Sequence, residues 1–525
     1  NIYQNRNIIW ENLLNTNRQQ RDALQMAAHA DVNLPYGFVF TVKGNLETST
    51  NNQRTYYNAE VGDGVAYNGI TTHTDRKYKS YDFMQQLRWN RTYGNHTLEA
   101  LAGHENYSYR LNYGITTKSN QTFAGQDDLN NFTVVNSVIG YTLNYRTESY
   151  LARLRYDYLN RYNLEASFRR DGSSRFSKEQ RWGNFGSIGA NWIVSKEAFM
   201  KDLTWLNNLK ARADYGIVGN DAGANYIGYM ALYQGTKIND NAAYFQYQLA
   251  NDNLKWEASH SFGIGIEARM FNLWNFSAEY FDKRNKDLLF NVNLPLSAGS
   301  NNIKEAEATI TRNIGTISNR GFELSTDIDV YSNRQWTVNI AANATLISNK
   351  VTKLPDQNKD GIVDGVYKVA EGKSRYEFYL PTFAGVDYLT GNSLYKADLE
   401  KFCITTADGQ TIGNANGTNI TQAVTQINGQ YYTNNTGYAL KEFHGSALPK
   451  AYGSFAANIS YKSWSLNALF TYSLGGKVYD AVYQQLMSTE NDAANRHTDI
   501  MKAWTAAPEG MTEQSANRLW VNGVP

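Results

Sequence analysis

The 525-residue chain carries 50 Lys+Arg against 49 Asp+Glu, so it has neither a basic field that would gather nucleic acid nor an acidic bias. Mean hydropathy is −0.56 and no run approaches the ~18 apolar residues of a spanning helix; a helical membrane protein is excluded, whereas a transmembrane barrel, whose strands alternate apolar and polar, is not. With 38 Tyr, 11 Trp, 40 Gly and 7 Pro the balance is β-rich and turn-rich, and the lone Cys403, with no CxxC or clustered Cys/His spacing, gives neither an internal disulfide nor zinc.

At the start of the chain, Leu24, Met26, Ala28, Ala30 and Val32 recur at spacing two and favour strand over helix. Hairpins are predicted at roughly 22–48, 78–109, 147–171, 181–217, 255–287, 313–348 and 451–476, fourteen strands in all. In the fifth, Phe262, Ile264 and Ile266 share one face and Gly263, Gly265 and Glu267 the other, and after a tight turn at Phe271-Asn272 the alternation resumes with Trp274, Phe276, Ala278 and Tyr280. Phe322 to Val330 with Trp336 to Leu346, and Phe455 to Tyr461 with Trp464 to Leu474, repeat the design.

Turns within hairpins are short, whereas the connections at about 49–77, 110–146, 218–254 and 349–450 are long and rich in Asn, Thr and Gly. Outer-membrane barrels have this asymmetry, with short periplasmic turns and long extracellular loops. Tyr150, Tyr156, Tyr158, Tyr162, Trp336, Trp464 and Tyr472 cluster near strand ends and suit interfacial girdles. Soluble sandwich strands run about five or six residues, and several here are longer. The expectation is an all-β, transmembrane antiparallel β-barrel. Residues 1–348 supply strands with extracellular loops, 349–450 a long extracellular loop region and 451–476 a barrel hairpin; 477–525 form an extracellular loop or the start of further barrel strands. The chain opens at Asn1 without a leader and stops at Pro525, and reads as part of a longer protein.

No catalytic constellation is present. His29, His73, His96, His104, His260, His444 and His497 are scattered, with no HExxH or GxSxG, and Ser173 and Ser174 read as a strand end. One motif has ligand chemistry: Asp356, Asn358, Asp360, Gly361 and Asp364 fall at EF-hand-like positions for weak Ca²⁺ binding, although Tyr367 stands where the bidentate carboxylate belongs. An Asx-rich surface turn after Pro355 accounts for the same residues. Tyr367, Tyr376, Phe378, Tyr379, Tyr388, Tyr395, Tyr431 and Tyr432 in the long loops can stack on sugars or peptide side chains, or pack loop on loop.

The run Tyr162 to Phe176 (YNLEASFRRDGSSRF), then Arg181-Trp182-Gly183-Asn184-Phe185 and Asn191-Trp192, resembles the SusC/RagA family of TonB-linked outer-membrane transporters. The likeness continues in order through Leu209 to Gly216, Tyr280-Phe281-Asp282-Lys283, Asn319-Arg320-Gly321-Phe322-Glu323, Phe383 to Asp387 with Thr390-Gly391, Tyr452-Gly453-Ser454-Phe455 and Tyr472 to Gly476. It implies a 22-stranded barrel of which this chain supplies the middle, with the plug domain and TonB box expected upstream and the closing strands after the region of Asn517-Arg518. It further implies no enzyme activity and no required cofactor, a SusD-like lipoprotein lid, energy from TonB with ExbB and ExbD, and oligosaccharide cargo, oligopeptide being the second class. A passive porin or a structural, adhesive surface barrel is the alternative of another kind.

Overall fold

The computed structural model describes residues 7–239, 241–294, 308–488 and 495–525. After a short helix, Ile8–Leu14, fourteen strands form one antiparallel sheet in simple chain order: β1 (Thr16–Leu34), β2 (Phe38–Tyr57), β3 (Ile70–Tyr93), β4 (His96–Gln121), β5 (Phe132–Tyr158), β6 (Tyr162–Ser173), β7 (Trp182–Ile193), β8 (Leu206–Asn220), β9 (Glu257–Met270), β10 (Trp274–Lys286), β11 (Thr316–Ser332), β12 (Trp336–Lys353), β13 (Ala451–Tyr461) and β14 (Trp464–Leu474). These are the seven predicted hairpins. Strands β1 and β14 end the sheet, and no pairing joins them among the described residues.

Register explains the alternation. One cross-strand row runs Ala213, Ile264, Tyr280, Phe322, Leu346, Ala451, Leu474 over seven neighbouring strands, and Ile264, Phe322, Leu346 and Leu474 in it are exposed. The opposite face of the same strands carries Lys210, Arg212, Glu267 and Glu279 in ion pairs. A sheet that is bare and apolar on one side and ion-paired on the other suits a bilayer only when it curls with the polar face inward.

At the short-turn end the rings pair into a girdle: Phe38 with Trp89, His96 with Tyr158, Trp205 with Phe271 and Trp336 with Tyr461, at centroid distances of 6.1, 4.8, 5.7 and 4.3 Å. Phe271 and Asn272 both have positive φ, 54° and 60°, as a hairpin turn that matches strand twist requires. Phe271 tolerates that conformation because its ring stacks on Trp205 and its N–H donates to the Trp205 carbonyl at 2.6 Å.

The long connections predicted at 49–77 and 110–146 are corrected. Most of those residues belong to β2, β3, β4 and β5, and only 58–69 and 122–131 are loops. With 24, 26 and 27 residues, β3 to β5 reach roughly 80–90 Å along the strand, far beyond the 9–11 residues that cross a bilayer. Thr, Asn and Gln there read as turn formers, yet a paired neighbour fixes them as strand, with Gln19 Nε2 donating to Asn51 Oδ1, Gln53 Nε2 to Asn17 Oδ1, and Thr72 meeting Thr117, each at 3.1 Å.

Residues 354–450 fold into small sheets, one of four strands (Ile362–Asp364, Tyr367–Val369, Glu377–Pro381, Lys441–Ser446) and one of five that takes its last strand, Leu519–Trp520, from the segment after β14.

Because Ile264 lies mid-strand on the apolar face, Ile264→Arg should destabilise the barrel in lipid vesicles by about 2–4 kcal/mol, whereas Ser277→Arg, opposite Glu267 on β9 and two residues from Glu279 on its own strand, should cost far less; urea titration in vesicles reads the difference. Gly321 sits where an added Cβ would overlap the Leu346 carbonyl oxygen, so Gly321→Ala should reduce the fraction that refolds into the heat-resistant barrel form on gels.

Candidate functional site

The inward face has two zones. Low in the sheet, Lys210 and Arg212 of β8 meet Glu267 of β9 at 3.3 and 3.1 Å, and Arg212 also reaches Glu279 of β10. On β4 to β6, Arg169 joins Glu105 at 3.0 Å and Asp171 at 2.6 Å. Amides continue the ladder, Asn339 donating to Asp327 and Asp329 at 2.9 and 3.1 Å and Asn343 to Ser454 at 2.7 Å. Each of these cations is held by one or two acids, and amides meet the remaining carboxylates, so this part of the lumen presents a continuous set of hydrogen-bonding groups.

Above it, on the extended β3 to β5, tyrosines line the same face. Tyr113 and Tyr141 are a cross-strand pair stacked at 4.8 Å, Tyr78 lies 6.3 Å from Tyr109 and Tyr107 6.1 Å from Tyr145. Tyr226, from the loop between β8 and β9, packs on Tyr109 and Tyr145. Strand pairing places these rings: Tyr78, Tyr107 and Tyr109 fall within the predicted hairpin at 78–109, whereas Tyr113, Tyr141 and Tyr145 lie in the stretch predicted as a loop at 110–146.

The Asp171 to Phe176 string is the fastening of that loop. The Arg175 guanidinium lies over Tyr145 and Tyr226, 4.8 and 4.7 Å from the ring centres, and Nη1 donates to the carbonyls of Asp221, Ala222 and Ala224. Asp221 accepts from Ser173 at 2.6 Å and Tyr145 at 2.8 Å. Phe176 is fully buried with Ala224 and Leu254 and packs on Trp256 at 5.5 Å. Ser173 is therefore an anchor in a buried network.

Most of the predicted loop aromatics pack within the loops: Tyr367 on Phe378 and Tyr376, Tyr379 on Phe443, Tyr395 on Phe383, and Tyr432 in a buried cluster with Leu394 and Ile427. Tyr388 stacks on Trp520 at 4.9 Å, next to a bidentate ion pair in which Arg518 Nε and Nη2 donate to Asp387 at 2.8 and 2.7 Å. The two side chains are 8% and 2% exposed. Gly391, at φ 78°, lies against the Trp504 ring where a Cβ would not fit. Burial opposes ionisation of Asp387, but the Arg518 guanidinium, the Leu389 N–H and the Thr390 hydroxyl together hold its carboxyl below the usual range.

Of the predicted cation ligands, Asp356 is 92% exposed and pairs with Lys359 at 3.1 Å. Asn358 Oδ1 is buried without a partner, Asp360 is exposed, and Asp364 lies in a strand opposite Tyr367. Gly361 has the positive φ, 91°, expected of the sharp turn. Among the described residues no three His, Cys, Asp or Glu side chains converge on one point.

Arg175→Ala should leave Asp221 buried beside an emptied slot, a local cost of about 1–3 kcal/mol, and hydrogen exchange should accelerate across 221–254 while β9 and β10 stay protected. Asp387, with its carboxyl depressed in the folded state, contributes stability that is complete above its unfolded value, about 3.9, and is lost as pH falls through the lower folded value. Limited proteolysis should thus find 498–525 docked between pH 5 and 8 and released only in strong acid, and Arg518→Met should release it at pH 7.

A family model described as TonB dependent receptor-like, beta-barrel, matches residues 1–479. A TonB-dependent receptor of Formosa agariphila is 29% identical over 454 residues, covering 78% of this chain and 41% of that protein. The TonB-dependent receptor SusC of Bacteroides thetaiotaomicron is 32% identical over 239 residues, 43% of this chain and 23% of its own length. The solved RagAB peptide transporter shares the fold, with a TM-score of 0.76 at 19% identity over 98% of this chain and 54% of that one. The chain thus spans about half the length, or less, of the relatives it matches. With an apolar-clad meander, a polar inner face and a family match that runs through every strand of the sheet, this chain belongs to the TonB-dependent receptor β-barrel family, in its SusC/RagA branch, and is an outer-membrane barrel protein.

Proposed function

We propose that the chain is the central barrel wall of an energised outer-membrane importer whose cargo is oligosaccharide. The observation that carries the reading is the inward face: an ion-paired ladder within the apolar exterior, and a tyrosine and amide surface on the strand extensions above it. Tyrosine rings offer flat apolar faces to sugar C–H groups, and Asn, Gln and Arg offer directional bonds to hydroxyls. A SusD-like lipoprotein would close over the long loops, and TonB with ExbB and ExbD would supply the energy through a plug. No bond of the cargo is broken, and the residues of this chain act by binding and guiding it.

Peptide cargo is the rival. The fold likeness to a peptide transporter favours no cargo, because it extends to the backbone and to few side chains. Uptake of fluorescently labelled oligosaccharides and oligopeptides by cells with and without the full-length gene separates the two. Energy-dependent sugar uptake, abolished by removal of TonB, is the expected result; loss of peptide uptake alone would overturn the cargo assignment, and TonB-independent uptake would favour a passive pore. Tyr141→Ala, which removes one exposed ring from the stacked pair, should weaken cargo binding by about 1 kcal/mol, roughly fivefold, measured by calorimetry on the full-length protein.

A further inference from the structure

Strand register assembles one row on the inner face that the linear sequence scatters over 120 positions: Arg21, Asn51, Arg76, Tyr113 and Tyr141 lie directly opposite one another on β1 to β5. Four steps of about 4.8 Å make the row about 19 Å long, and the two guanidinium-bearing strands stand about 10 Å apart with the Asn51 amide between them. Arg76 lies over the Tyr113 ring at 5.3 Å, and Arg21 Nε donates to Ser49 Oγ at 3.1 Å. Neither arginine forms an ion pair with a carboxylate among the described residues. Lower in the lumen, Lys210, Arg212 and Arg169 each hold one or two acids.

The acids nearest on this face, Glu47 and Asp82, lie on registers closer to the bilayer: Glu47 opposite Gln25 and Ser80, Asp82 opposite Asn45 and Tyr107. On the next register outward the face reads Gln19, Gln53, Thr74, Ile115 and Ile139, without a charge. Asp75 and Asp22 neighbour the row in sequence, but alternation turns them to the outer face. The row thus combines two arginines without an ion pair among the described residues, an amide and a stacked pair of rings, outward of the ion-paired part of the lumen.

We infer that this row is a binding site for an anionic oligosaccharide, its sugar rings lying along Tyr113 and Tyr141 and its carboxylates or sulfate esters reaching Arg76 and Arg21. The guanidinium fork takes a carboxylate or a sulfate through paired N–H bonds, the amide serves a hydroxyl between them, and the rings take the apolar sugar face. Unpaired arginines at the mouth also draw anions toward it from solution, an effect that falls with salt. The inference rests on the oligosaccharide reading above and narrows it to charged sugars.

The test uses the full-length protein with its lipoprotein partner in mild detergent, titrated calorimetrically at low salt with a galacturonate tetrasaccharide, its methyl ester and a sulfated tetrasaccharide. The acid and the sulfated sugar are expected to bind at least tenfold more tightly than the ester, with the preference shrinking as salt rises. The double variant Arg21→Gln and Arg76→Gln should bring the acid down to the affinity of the ester, while Arg320→Gln, on the outer face, leaves the preference intact; unchanged heat-resistant mobility on gels shows that each variant is folded. Equal binding of acid and ester, or a preference that survives the double variant, would overturn the anion site while leaving oligosaccharide import standing. Failure of all three sugars to bind, with peptides binding instead, would overturn both. Loss of the lipoprotein from the double variant would assign the row to partner contact and likewise overturn it.

Discussion

A bilayer offers no hydrogen bonds to a stray N–H or C=O, and this constraint organises the rest of the molecule. A polypeptide that crosses by strands must pair every backbone group with a neighbour, and with side chains alternating at period two it must give one face to lipid and the other to the lumen. The fourteen strands satisfy it through a plain meander, each paired with the strand before and after it in the chain. The exposed row from Ile264 to Leu474 and the ion pairs behind it are two consequences of one register.

The sheet does not stop at the membrane surface, and the stability of its extension has a different origin. Above the apolar band the outer ends of β1 to β3 are largely polar on both faces, so burial of apolar surface contributes little there and cross-strand bonding carries the structure. Gln19 with Asn51, Gln53 with Asn17 and Thr72 with Thr117 are such bonds. The loop between β8 and β9 is tied to this extension by Arg175 and Phe176, one through rings and carbonyls, the other through a small apolar cluster. The second tie, Asp387 with Arg518, fastens the segment after β14 to the small sheets of residues 354–450. Truncation of either partner would leave an uncompensated buried charge, and for that reason each of these pairs fixes geometry even where its net stabilisation is modest.

These ties set the character of the inner surface. They hold Tyr226 against Tyr109 and Tyr145 and keep the loop aromatics packed among themselves, so the rings left open on the inner face include the stacked pair that pairing aligns on β4 and β5, Tyr113 and Tyr141. Below them, Lys210, Arg212 and Arg169 are held by acids, whereas Arg21 and Arg76 form no ion pair among the described residues. On the proposed reading, cargo would meet the arginines and stacked rings before it reaches the ion-paired ladder.

The alternation of apolar and polar residues was enough to predict the barrel class, all seven hairpins and the side of the sheet that faces lipid, because period two is a local property written in each strand. The family strings identified the branch, although not what those strings do: Ser173, Arg175 and Phe176 act through Asp221, Tyr226 and Leu254, which are remote in the chain. Two predicted loops were strands, because Asn and Thr favour turns only when no neighbouring strand is available to pair with them. The row from Arg21 to Tyr141 and the Asp387–Arg518 pair lay beyond the reach of pattern. Sequence alone determined which residues face together along a strand; only the tertiary structure decided which residues face together across strands, because register depends on pairing energies summed over whole hairpins and leaves no local periodic mark.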